Sequence, residues 1–173
     1  NKAMIAARTV LFAGIFSLGV CFAETPVEAV QNGTQELLTV LKAQKATLKK
    51  DPGKVFEIAE NVIVPRFDFT LMSQWVMGRP WRQATPEQKA AFTKEFKELM
   101  INTYASALLE YSDQQIKVIE QPNLKAGDDE VTIKTQVVSN NRQPVAINFV
   151  LHNVGGKWLA FDVSIEGVSV VTK

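Results

Sequence analysis

The stretch that decides the fold is EVTIKTQVVSNNRQPVAINFVLHNVGGKWLAFDVSI, residues 130–165. Apolar and polar residues alternate in three successive runs of this segment, and a period of two is typical of β-strands. Short turns with Asn-Asn and Gly-Gly pairs separate the runs, which favours antiparallel hairpins. A further short strand is predicted before them at residues 116–118, where Ile116 and Val118 flank Lys117. We therefore expect a curved, four-stranded antiparallel sheet.

Helical signals dominate the chain before this stretch. Thr25-Pro26 provides a cap hydroxyl and a proline at the first helical position, and Asp68 can cap a short third helix. Thr85-Pro86 with Gln88 predicts a capping box at the start of a long helix that reaches Tyr111. A second helix is expected over residues 55–63. The order of helices then strands predicts one α+β domain over residues 24–173, with the helices packed on one face of the sheet.

The first 23 residues are typical of a secretion signal peptide. Lys2 and Arg8 give a positive start, and the apolar run over 10–22 would be roughly 20 Å long as a helix. That is short for a bilayer core of roughly 30 Å, so a cleavable signal is favoured over a permanent anchor. Cys21 and Ala23 place small side chains suitably for cleavage before Glu24. We therefore predict export to the periplasm.

Composition excludes several classes of function. The chain has 19 basic and 18 acidic residues, and without Lys2 and Arg8 the basic count falls to 17, so no basic surplus favours nucleic-acid binding. Cys21 is the only cysteine and belongs to the predicted signal, which leaves no disulfide, zinc-thiolate or thiol nucleophile in the mature chain.

Catalytic motifs are absent from the sequence. There is no phosphate loop, nucleophile elbow or dinucleotide fingerprint. His152, the single histidine, has no second histidine for a metal pair and is interpreted as a surface or sheet-edge residue. A minority alternative is a small periplasmic enzyme in which Asp68, Tyr104 and Asp162 converge. The many large apolar side chains could equally fill a core or line a cavity, because periodicity does not separate the two.

Two segments carry a family resemblance. The first runs from Phe67-Asp68-Phe69 through Met72 and the run Gly78-Arg79-Pro80-Trp81-Arg82-Gln83-Ala84-Thr85-Pro86-Glu87-Gln88 to Phe92, Phe96, Leu99 and Tyr104. The second comprises Trp158 and the run Asp162-Val163-Ser164-Ile165-Glu166-Gly167-Val168-Ser169. Together they resemble the MlaC family, also called the toluene-tolerance auxiliary family, and the order of elements agrees from about Thr25 onward. Members usually continue into a Tyr-Arg-containing helix, whereas this chain ends at Val171-Thr172-Lys173, so we expect a truncated C-terminal helix.

The resemblance implies a periplasmic phospholipid carrier rather than an enzyme. The carrier would be a monomer without a cofactor, and phospholipid would be its cargo. Its expected partners are an inner-membrane ABC transporter with an MCE-domain protein and an outer-membrane lipoprotein–porin complex, and its task is to maintain outer-membrane lipid asymmetry. A non-catalytic envelope scaffold or adaptor is the main alternative, and it predicts a solid core.

The carrier hypothesis requires an apolar cavity between the sheet and the helices. Positions expected to face inward and contact lipid are Phe69, Met72, Trp75, Val76, Phe96, Leu99, Met100, Tyr104, Ile147, Phe149, Leu151, Phe161 and Val163. Arginine matches phosphate geometry, so the candidates for contact with the headgroup or a partner are Arg79, Arg82 and Arg142, with Tyr104 also at the headgroup.

Overall fold

The structure is a computed structural model that describes residues 22–172. The predicted signal peptide lies outside this range, Cys21 included, except for its last two residues. Five α-helices precede the sheet within the described residues: α1 Pro26–Ala43, α2 Lys45–Lys50, α3 Lys54–Ile58, α4 Phe69–Met77 and α5 Pro86–Leu109. Irregular helical turns follow α3 and α4: a π-helical turn Ala59–Ile63 with a 3-10 turn Val64–Arg66, and a 3-10 helix Arg79–Gln83.

The helix starts form where the sequence predicts them. The Thr25 hydroxyl accepts from a backbone N–H in the first turn of α1 at 3.1 Å, and Asp68 does the same for α4 at 3.0 Å. At α5 the Thr85 hydroxyl accepts from the backbone N–H of Gln88 at 3.1 Å, while the Gln88 side chain accepts from the Thr85 N–H at 2.9 Å. The predicted capping box is therefore present.

The antiparallel sheet has five strands, one more than expected. The strands, in their order across the sheet, are β1 Gln115–Val118, β2 Glu130–Val138, β3 Val145–Val154, β4 Lys157–Ile165 and β5 Val168–Ser169. The additional strand has two residues, too few to show an alternating pattern. It pairs with the end of β4 after a tight turn in which Glu166 and Gly167 have positive φ values of 50° and 81°. The α+β class itself is confirmed.

A β-bulge in β4 decides which side chains face the helices. Phe149 pairs with Val163 but Leu151 pairs with Ala160, so the register shifts and Phe161 is the extra residue. Because one residue is inserted, Ala160 and Val163 point to the same side of the sheet although three positions separate them. Simple alternation would have placed Phe161, not Ala160, on the side of Val163.

Three apolar clusters join the layers. One packs Ala29 and Val30 of α1 against Val131 and Ile133 of β2. Another joins α1, α2 and α3 to the C-terminal half of α5. The third cluster, which we call the α4–α5 cluster, consists of Met72 of α4, Phe96 of α5 and Phe161 of β4. All three side chains are almost fully buried. Helix α1 thus packs on the central strands, α4 and α5 pack against β4, and space remains between these clusters.

Candidate functional site

An apolar cavity of about 300 Å³ occupies the space between the sheet and the helices. Its floor extends along β3 from Ile147 to Leu151, roughly 13 Å at the rise of an extended strand. The cavity is therefore elongated along the strands. A binding site of this size lies at the lower end of the range for small-molecule sites in proteins.

Alternate residues of the two central strands form the floor. On β3 these are Ile147, Phe149 and Leu151, which share a face because they are two positions apart. The bulge brings residues from both halves of β4 to the same face. The β4 residues of the floor are Trp158, Ala160, Val163 and Ile165.

The helical wall comes from four segments. Met100 and Tyr104 lie one turn apart on α5, and Phe69 and Met72 share a face of α4. The π-helical turn adds apolar side chains between α1 and the sheet, with Val62 among them. Methionines suit such a wall because their flexible side chains adapt to irregular apolar surfaces.

Among residues 22–172, Arg66 is the single charged residue that lines the apolar cavity. Its Nη1 donates to the Ala29 carbonyl at 3.0 Å and lies 3.4 Å from a Glu24 carboxylate oxygen. Its Nη2 lies 3.6 Å from Glu36 on α1. The Arg66 side chain crosses α1 at Gly33, where an added Cβ would lie only 2.6 Å from the Arg66 Cδ. This close approach explains a glycine within a helix, where glycine costs about 1 kcal/mol relative to alanine.

A second, polar groove adjoins the cavity at Arg66. Its volume is about 470 Å³, and it shares Val62, Arg66 and Trp158 with the cavity. Its remaining lining is mainly polar: Glu24, Glu36, Asn61, Pro65, Gly156 and Lys157. One end of the apolar cavity therefore continues into a groove that carries charges of both signs.

Eight of the thirteen positions expected to contact lipid line the cavity. They are Phe69, Met72, Met100, Tyr104, Ile147, Phe149, Leu151 and Val163. Lipid contact at each of these positions stays a prediction.

The structure places five of these positions elsewhere. Trp75 and Leu99 are 56% and 58% exposed, and Val76 is exposed as well. Trp75 and Val76 lie in the last turns of α4, past its buried Met72 and Ser73, while Leu99 lies on the opposite side of α5 from Ile101 of the cavity. The face predicted to point inward is therefore wider on both helices than the face that lines the cavity.

Phe96 and Phe161 are buried but belong to the α4–α5 cluster instead of the cavity lining. Phe161 leaves the cavity face because it is the extra residue of the bulge. Alternation alone cannot show where a strand contains a bulge, so this displacement had no signal in the sequence.

Sequence reasoning missed the contribution of α1, of residues 59–66 and of Trp158 with Ala160. Arg66 belongs to the second of these segments. Gly33 was the available signal, because a glycine inside an amphipathic helix marks a position where another group approaches the backbone.

The expected headgroup arginines do not line the cavity or the groove. Arg79 and Arg82 are exposed in the 3-10 helix after α4, and Arg142 is exposed in the β2–β3 turn. Tyr104 does line the cavity and is 37% exposed.

The three residues of the enzyme alternative have separate environments. Asp68 lies 2.9 Å from His152 Nε2, and Asp162 accepts from the Ser169 hydroxyl at 2.8 Å, while Tyr104 belongs to the cavity wall. His152 is therefore not a surface or edge residue: it is half-buried on the central strand β3 and joins the sheet to the start of α4. No local pattern indicates this pair, because 84 positions separate its members.

Two features are absent from residues 22–172. No helix there is long and apolar enough to cross a membrane. No group of three or more histidine, cysteine, aspartate or glutamate residues in this part of the chain is arranged to hold a metal ion.

Comparisons with known proteins agree on one family. The family model described as "MlaC protein" matches residues 31–173. The toluene tolerance protein Ttg2D of Pseudomonas putida is 33% identical over 157 residues, which cover 90% of this chain and 72% of that protein. The intermembrane phospholipid transport system binding protein MlaC of Haemophilus influenzae is 29% identical over 154 residues, 86% of this chain and 71% of that protein.

A solved structure matches the fold. It is the phospholipid-binding protein of Ralstonia solanacearum in complex with a phospholipid, with a TM-score of 0.77 and 31% sequence identity. The match covers 86% of this chain and 80% of that one.

Proposed function

The chain belongs to the MlaC family, and we propose that it is a periplasmic carrier that encloses the acyl chains of a phospholipid and moves the lipid between the two membranes of the envelope. The observation that carries this proposal is the apolar cavity of about 300 Å³ along β3 and β4. A solid core at this place would have favoured the scaffold or adaptor alternative.

The size of the cavity fits an acyl chain. A dry apolar cavity of about 150 Å³ accepts benzene, so twice that volume accommodates on the order of a dozen carbon atoms. Burial of a methylene group is worth about 0.8 kcal/mol, and a dozen of them give about 10 kcal/mol. That gain is sufficient to hold one chain segment away from water. A second acyl chain would need more volume than this cavity provides.

The lining supports transport without a covalent step. Its polar groups within the described residues are few, and the Thr34 hydroxyl is already bonded to the Val30 carbonyl at 2.8 Å. An apolar wall binds tails of different length and saturation because burial is not directional. We assign no catalytic residue and no cofactor to this chain, whose cargo is the phospholipid.

Exchange with membrane complexes completes the proposed cycle. The proposed partners are an inner-membrane MCE-domain ABC transporter and an outer-membrane lipoprotein–porin complex, and their joint task is to maintain outer-membrane lipid asymmetry. Trp75 and Val76 are exposed beside Arg79 and Arg82. Exposed aromatic and arginine side chains are enriched at protein interfaces, so this end of α4 is a candidate contact surface.

Native mass spectrometry of the protein purified from a bacterial periplasm tests the proposal. We expect a mass increment that corresponds to phospholipid, and solvent extraction should release phospholipid in a near-stoichiometric amount. A protein that purifies without lipid, and takes up none from phospholipid vesicles, would contradict the carrier function.

A further inference from the structure

The two residues before α4 attach that helix to the edge of β4. The Asp68 N–H donates to the Ala160 carbonyl at 2.8 Å, and Phe67 forms a parallel bridge with Ala160. The Asp68 carboxylate also accepts from His152 Nε2 of β3 at 2.9 Å. We propose that this His152–Asp68 pair is a latch that holds α4 on the sheet and sets the rate at which lipid enters and leaves the cavity. The inference rests on the proposed carrier function and adds to it the place where the cavity opens.

The latch lies on the side of the sheet that faces away from the cavity. Leu151 lines the cavity, so the next residue of β3, His152, points to the opposite face. Asp68 reaches it there across β4, beside Phe161, whose ring centre lies 5.2 Å from that of the imidazole. The latch therefore connects α4 to β3 without taking part in the lining, and its loss should leave the lipid-binding surface unchanged.

The apolar contacts around the cavity are weaker on the side of α4 than on the side of α1. On the side of α1, three strands contribute buried side chains to one core cluster, namely Val131, Ile133, Leu151 and Ala160. On the side of α4, Phe161 is the one buried side chain that the described strands contribute to the α4–α5 cluster. Met72 belongs to this cluster and to the cavity wall, so movement of α4 would open the wall. Since less apolar surface must separate there, we expect the cavity to open between α4 and β4.

The latch can break without leaving a charge in an apolar environment. The side chains of His152 and Asp68 are 24% and 22% exposed, so water can solvate both groups once they separate. The other carboxylate oxygen of Asp68 accepts from the Leu71 N–H at 3.0 Å, and α4 therefore stays capped when it moves. A partly exposed hydrogen bond to a charged group changes such an opening equilibrium about tenfold.

A latch outside the cavity affects rates and not affinity. The contact is present in the closed protein with or without lipid, so its loss speeds entry and release by the same factor. A residue that shapes the binding surface would instead change the equilibrium between bound and free lipid. The two measurements together therefore separate a latch from a merely structural contact.

Transfer kinetics test the latch. The protein, purified from a bacterial periplasm, is loaded with pyrene-labelled phosphatidylethanolamine and mixed with unlabelled phospholipid vesicles in a stopped-flow fluorimeter. The time course gives the release rate, and a titration with vesicles gives the partition of lipid between protein and membrane. Asp68→Ser retains a good helix cap but is too short to reach His152, and His152→Phe retains a ring beside Phe161 but removes the donor. We expect each variant to release lipid about tenfold faster at unchanged partition.

Further variants show whether the two residues act together. The double variant Asp68→Ser with His152→Phe should release lipid no faster than either single variant, because all three lack the same contact. His152→Gln places a side-chain N–H near the position of Nε2 and should restore most of the normal rate. The matched controls are Thr85→Ala, which removes the cap of α5, and Glu60→Gln, which removes an ion pair between two helical segments. Both controls should release lipid at the rate of the unmodified protein.

The outcomes separate the latch from the carrier function. Unchanged release in folded Asp68→Ser and His152→Phe would overturn the latch and leave the carrier function intact. Faster release with a proportionally weaker partition, or an equal acceleration in Thr85→Ala, would do the same, since either indicates general loosening of the fold. If Asp68→Ser does not fold, His152→Phe against His152→Gln provides the same comparison. An unmodified protein that takes up no labelled lipid would refute the carrier function itself.

Discussion

Phe149→Asp is expected to lower lipid affinity about 100-fold without unfolding the domain. Phe149 lies at the middle of the cavity floor, between Ile147 and Leu151, and pairs with Val163 of β4. Its ring is only partly buried by protein, because one side faces the cavity. In the empty protein, water can therefore reach the new carboxylate.

The magnitude follows from what the lipid-bound state must bury. An acyl chain in the cavity removes water from the carboxylate, and an ion buried without a partner costs several kcal/mol. We take about 3 kcal/mol, after allowing for movement of the side chain toward solvent. Since 1.4 kcal/mol corresponds to a factor of ten, lipid affinity should fall by about 100-fold.

Asn148→Asp is the matched control. It adds the same charge one position earlier on β3, but its side chain points to the opposite face of the sheet and stands across from Lys134. Lipid loading of this variant should equal that of the unmodified protein. Circular dichroism should show that both variants are folded, and native mass spectrometry should measure the bound lipid. Equal loading of folded Phe149→Asp and Asn148→Asp would refute the assignment of this cavity as the tail site.

Two further predictions concern regions outside the cavity. Asp68→Ala removes both the cap of α4 and the partner of His152. It should lower the free energy of unfolding by about 1–3 kcal/mol in urea denaturation, since caps and charged hydrogen bonds each contribute on the order of 1 kcal/mol, and an unchanged midpoint would contradict these roles. Trp75→Ser should leave lipid loading and thermal stability unchanged but slow lipid transfer to membrane-complex partners several-fold in a reconstituted assay, and transfer at the normal rate would exclude Trp75 from the contact surface.

Most of the helices and strands could be predicted because their signals are local. Thr25, Asp68 and Thr85 satisfy backbone groups within one helical turn, so a few neighbouring residues contain the whole interaction. The alternation in β2 likewise reports which face is buried. These features gave the α+β class, the helix starts and the inward face of β3.

The site was predicted less completely because it depends on contacts between distant segments. The bulge at Phe161 changes the phase of β4, and the pairing of His152 with Asp68 joins residues that are far apart in the chain. The approach of Arg66 to Gly33 is another contact of this kind. These three features depend on how the helices pack on the sheet. Alternation or capping within a single helix or strand does not indicate that packing.

The extra residue in β4 has an evolutionary consequence. It lets one strand serve two surfaces: Ala160 and Val163 shape the compartment, while Phe161 anchors the α4–α5 pair. Substitutions at Ala160 and Val163 can therefore change the length of the acyl chain that fits, while Phe161 stays unchanged. Deleting Phe161 would leave Ala160 and Val163 on the cavity side but remove the anchor of the α4–α5 pair, so we expect descendants that retain transport to keep the extra residue.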